Sequence, residues 1–151
     1  MQSFLKQKKI IMTEVIVSKT ISVPGAKAWN KLSSFKGIEA YSPIEKSITN
    51  GEGAGATRTC YLPEGVAIHE VLNFVEDDRM EMQYAITDGP FPIECYVSTI
   101  NVSAQDDSNC KITWGCEFEC SAEAEPEMIK LFEGFYNVII ESLENVIKSE
   151  N

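Results

Sequence analysis

The sequence contains a single histidine, His69, and a metal centre built on imidazole lacks the companion ligands it would need. Cysteine offers no substitute. None of the five cysteines (Cys60, Cys95, Cys110, Cys116, Cys120) forms a CxxC pair, and Cys116 and Cys120 sit four apart on what reads as one strand face. An odd count without a secretory pattern points to free thiols in a reducing, cytoplasmic setting. Basic residues are few: 13 Lys and Arg stand against 23 Asp and Glu, a formal net charge of -10, which opposes phosphate backbones and anionic membrane surfaces. Nucleic acid is therefore not an expected partner. No apolar run approaches the ~20 residues of a membrane span, so no stable membrane insertion is expected. The glycines of "GEGAGATR" lack the Lys-Ser/Thr of a phosphate loop and precede a strand, which makes them a hairpin turn. No metal and no cofactor is expected.

What the sequence does have is apolar content. With 151 residues, 44% of them hydrophobic, the chain supports one domain around one core. The opening "MQSFLKQKKIIMTE" has lysines but no signal-peptide core. Residues 1–12 are expected to be a disordered extension, with Met12 a possible start, and residues 13–151 the folded domain.

Val15 to Val23 alternates as a strand and stops at Pro24, after which "GAKAWNKL" places Ala28, Trp29 and Leu32 at helical spacing. A brief helical turn in "FKGIEAYSP" follows. From Ile44 onward the period is two: six further strands are separated by turns at "NGEGAGA", "PEG", "EDD", "DGPFP" and "AQDDSN". The period then changes. From Pro126, residues Met128, Phe132, Phe135, Ile139, Leu143 and Val146 recur at steps of four and three, with Ile129, Tyr136, Ile140 and Ile147 as a second row. At ~1.5 Å per residue this helix of roughly 22 residues spans about 33 Å, enough to cross a whole sheet. The result is an α+β domain.

Two charges fall on apolar faces. Read as a strand, "SPIEKSIT" places Lys46 between Ile44 and Ile48, and "VAIHEVLNFV" places Glu70 with Ile68, Leu72 and Phe74. Inward charges need partners, because burying an unpaired ion is costly. Either the two answer each other across a cavity, or both lie near strand ends with their heads in water.

The order of elements, with "VPGAKAWNKLSSF" after the first strand, "GEGAGATR" before the third and the long final helix, resembles the START-like helix-grip superfamily of polyketide cyclase/dehydrase-like and lipid-transfer proteins. That resemblance covers roughly Thr13 to Lys148. It implies a curved seven-stranded antiparallel sheet wrapped around the C-terminal helix, two short helices after the first strand, and a cavity for an apolar ligand. Within the superfamily, "AWNKLSSFKGIEAYSPIEKSIT" is similar to a segment of the plant abscisic acid receptors and their bacterial relatives that ends in a ligand-binding lysine, which would be Lys46. "HEVLNFVEDDRM" and "ECYVSTINV" resemble stretches that would make Glu70, Tyr96 and Ser98 pocket residues. The gate and latch sequences of the receptors are replaced by "CYLPEGV" and "FPI", so a hormone receptor that recruits a phosphatase is not implied. Tyr84, Trp114, Phe132, Phe135 and Ile139 complete the expected lining.

These readings favour a carrier or sensor that binds a small apolar molecule or lipid with an acidic or hydroxyl end. The alternative is a cyclase- or dehydratase-like enzyme acting on a polyketide-like substrate, with Glu70 as base and Tyr96 as proton donor. A third reading is an interaction module with an exposed sheet edge. No residue is assigned a catalytic role, and a homodimer is possible.

Overall fold

Alternation begins earlier than the sequence suggested. In the computed structural model, which describes residues 9–150, strand β1 spans Ile10–Ile21, with Thr13, Val15, Val17 and Ile21 buried and Glu14, Ile16 and Ser18 facing out. Ile10, Ile11 and Met12 therefore belong to the sheet and not to an extension. The expected disorder of residues 1–8 lies outside the described residues.

Helix α1 (Gly25–Ser33) follows Pro24 and buries Ala28, Trp29 and Leu32. The Trp29 indole N–H reaches Oδ1 of Asp77 at 2.8 Å, tying α1 to a distant turn. A 3-10 turn at Ile38–Ala40 leads to β2 (Lys46–Asn50) and β3 (Thr57–Tyr61). After a second 3-10 turn at Pro63–Gly65 come β4 (Ala67–Glu76), β5 (Glu81–Asp88), β6 (Glu94–Ala104) and β7 (Cys110–Ser121). The chain closes with helix α2, Glu125–Ser149.

The seven strands form one antiparallel sheet in the order β1-β7-β6-β5-β4-β3-β2, with β1 and β2 at its edges. This is the helix-grip arrangement. Residues Phe132, Tyr136, Ile139, Ile140 and Leu143 of α2 are almost fully buried against the inner-face residues Trp114, Cys116 and Phe118. Polar contacts hold α2 alongside β1: Thr13 donates to Glu125 at 2.7 Å, Lys19 pairs with Glu141, and the Ser22 backbone N–H donates to Glu144 at 2.7 Å. Lys19, which interrupts the apolar face of β1, thus has a carboxylate waiting on the helix.

The expectation for Lys46 does not hold. Its side chain is exposed, and so is Ile48, which is 43% accessible. The alternation read from Ile44 breaks before the strand starts: Ile44 is buried but precedes β2, its N–H held by Ser42 Oγ at 3.2 Å in a local turn. Within β2 the inward positions are Ser47, which donates to Glu39, and Thr49, which donates to the Phe35 carbonyl at 2.9 Å. Lys46 extends into solvent from an edge strand, 5.7 Å from the ring of Tyr61.

Candidate functional site

Between α2 and the inner face of β3 to β6 lies a cavity of about 110 Å³. Cys60, Ile68, Glu70, Tyr84 and Tyr96 line it from the sheet, and Phe132 and Phe135 from the helix. Leu62 and Phe91, half-buried in the turns after β3 and β5, and the 41% exposed Leu131 also line it. The lining is apolar apart from one carboxylate, one thiol and two phenols.

The carboxylate belongs to Glu70, and its partner is Arg58 instead of Lys46. Arg58 and Glu70 face each other in the β3–β4 register, and Arg58 Nε donates to Glu70 Oε1 at 2.6 Å. Both are buried, at 4% and 8% exposure. The guanidinium lies 4.0 Å from the centroid of the Phe35 ring and 5.2 Å from that of Tyr84, within cation–π range of both. Phe35 adopts a left-handed backbone conformation (φ 61) as the chain leaves α1. Burial opposes the charge on Arg58, but Glu70 and the other neighbouring groups outweigh it and raise its pKa. Replacing either member alone would leave the other as an uncompensated buried ion.

The other polar groups on the wall are a thiol and two phenols, each with its pKa raised by burial. Cys60 Sγ donates to Glu70 Oε1 at 3.7 Å, and burial, reinforced by the Glu70 charge, pushes its thiol up to about 12. The Tyr96 hydroxyl bonds to that of Tyr136, and burial raises both phenols well above their ordinary value. Tyr84 is likewise raised by burial. Beneath it, Ser98 donates to the Gly115 carbonyl at 2.9 Å and accepts from the Trp114 indole at 3.0 Å. At neutral pH the wall therefore carries one anion, Glu70, backed by one cation, Arg58.

Of the residues expected at the site, Glu70, Tyr84, Tyr96, Phe132 and Phe135 come together on the cavity wall. Ser98, Trp114 and Ile139 do not. Trp114 and Ser98 pair with each other beneath the lining, and Ile139 is packed in the core with no exposure. Lys46 lies outside the site altogether. Arg58 is not among the residues expected at the site, although counting back along the pairing from Tyr61↔Ala67 at the turn reaches Arg58↔Glu70. His69, as its alternation with Glu70 suggests, is exposed.

The family described as polyketide cyclase/dehydrase and lipid transport matches residues 12–148. The chain belongs to that family. Among solved structures, this family member is similar to the protein XoxI from Bacillus cereus, with 25% identity, TM-score 0.82, and coverage of 92% of this chain and 99% of that one. An uncharacterised protein from Bacillus thuringiensis is 26% identical, with TM-score 0.79 and coverage of 89% and 98%. The Zhui aromatase/cyclase from Streptomyces sp. R1128 shares the fold at 13% identity, TM-score 0.78, and coverage of 91% and 94%. No functionally curated protein matches the sequence. Among the described residues of this cyclase/dehydrase family member, no helix is long and apolar enough to cross a membrane.

Proposed function

We propose that the protein binds a small apolar molecule in the cavity between α2 and the sheet. The observation that carries this reading is the lining itself: apolar side chains enclose a space of about 110 Å³ around a single charged group, Glu70. Small-molecule sites have this composition, mostly hydrophobic with a few placed polar groups that fix orientation. Membership of a cyclase/dehydrase and lipid transport family supports it further. An apolar cavity of roughly 150 Å³ in another protein accommodates benzene; at about 110 Å³ the resting cavity is smaller, so it suits a short chain as it stands and a single ring after slight relaxation of the wall. Larger ligands require the turns carrying Leu62 and Phe91 to move.

Titration with toluene, followed by NMR of the methyl groups of Ile44, Ile68 and Ile86, tests the reading. Saturable shifts confined to these methyls are the expected result, and their absence at saturating toluene would overturn it. Native mass spectrometry of the protein as purified then identifies what it carries. The enzyme reading gains support from Glu70, a carboxylate positioned in an apolar cavity where a base could act. Turnover of a ligand recovered in this way would decide for it.

A further inference from the structure

Resting on the cavity reading, we propose that the ligand is a neutral molecule with a hydroxyl group, an alcohol or a phenol, which donates to Glu70 and is selected over a carboxylic acid of the same size. The bonds to Glu70 from Arg58 Nε and Cys60 Sγ both go to Oε1. Oε2 takes no hydrogen bond from a described residue, and no buried side-chain oxygen or nitrogen among those residues lacks a partner. Oε2 is therefore the accessible oxygen of the one charged residue in the lining.

The Cys60 thiol is turned to Glu70, and the Tyr96 and Tyr136 hydroxyls bond each other. The one charged acceptor of the wall thus has an oxygen that no side chain of the described residues satisfies, and a complementary ligand brings the proton. A ligand carboxylate in the cavity would meet the like charge of Glu70, whereas Arg58, held against the Phe35 and Tyr84 rings, is not among the lining residues. An ammonium gains little, since Arg58 already neutralises the pair. A hydroxyl satisfies Oε2 without adding a charge to an apolar space.

Three probes of similar size separate the possibilities: toluene, phenol and benzoate, each titrated by NMR on the unmodified protein. Phenol is expected to bind at least about tenfold more tightly than toluene, the factor appropriate to a hydrogen bond with a charged group, and benzoate more weakly than toluene. Glu70→Gln should shrink the preference for phenol over benzoate. In case that variant folds poorly with Arg58 unpaired, the Arg58→Gln/Glu70→Gln double variant provides the same comparison. Benzoate binding as tightly as phenol, or phenol no better than toluene, would overturn the inference and leave the cavity reading standing. Failure of all three to bind would remove the cavity reading and the inference with it.

Discussion

Arg58 donates from Nε to Oε1 of Glu70 at 2.6 Å across the β3–β4 pair, and neither residue is as much as a tenth exposed. Removing one member should therefore cost far more than removing both. Arg58→Met is expected to destabilise the fold by about 3 to 5 kcal/mol, and the Arg58→Met/Glu70→Leu double variant to recover most of that. Urea titration of the two singles and the double measures the coupling. Additive losses would mean the pair is not coupled.

Lys46→Met should change stability by no more than about 0.5 kcal/mol, because the side chain leaves an edge strand into water. Phenol affinity should be unaltered in the same variant. A tenfold loss would return the lysine to the site.

Gly115 stands opposite Ile16 in the β1–β7 pairing, and a Cβ there would lie 2.9 Å from the Val15 carbonyl oxygen. A backbone atom within a ladder has no rotamer by which to swing aside. Gly115→Ala is thus expected to cost roughly 1 to 3 kcal/mol, read as a lower urea midpoint with an unchanged slope.

Ile139 and Leu131 share α2 but not its environment, one wholly buried and the other 41% exposed. Truncating Ile139 to Ala should cost about 2 to 5 kcal/mol through the cavity it leaves. Leu131→Ala should cost roughly 0.5 kcal/mol. Comparable losses would contradict the orientation of the helix.

Among the cysteines, Cys95 alone is exposed, while Cys60, Cys110, Cys116 and Cys120 are buried. A thiol reagent at neutral pH should label Cys95 quickly and the others only on unfolding. Burial also pushes Cys60 up to about 12 and Cys116 to about 11 from an ordinary 9.0. Because the unfolded chain releases these protons at lower pH than the folded one, their contribution to stability is complete below pH 9.0 and is lost as pH rises through about 11 and 12. Thermal unfolding followed across that window should show a falling midpoint, and a flat profile would contradict the assigned burial.

By itself the sequence determined the architecture, because hydrophobic period is a local property. A run such as "KITWGCEFECS" alternates whatever it pairs with, and the four-three spacing from Met128 to Val146 marks a helix long enough to span a sheet. Glu70, Tyr84, Tyr96, Phe132 and Phe135 reached the cavity wall for the same reason: each lies on an inward face that strand alternation or helical spacing could count. Lys46 failed because its phase was counted from Ile44, which a serine turn buries before the strand begins. One slipped residue turns a strand inside out. The partner of Glu70 was also beyond local pattern, since pairing across two strands depends on register and on how the intervening turn closes. Depth was decided by packing in three dimensions: Ile139 and Trp114 point inward as expected, yet the close fit of helix to sheet leaves them in the core and opens the space only where Cys60, Glu70 and Phe135 meet.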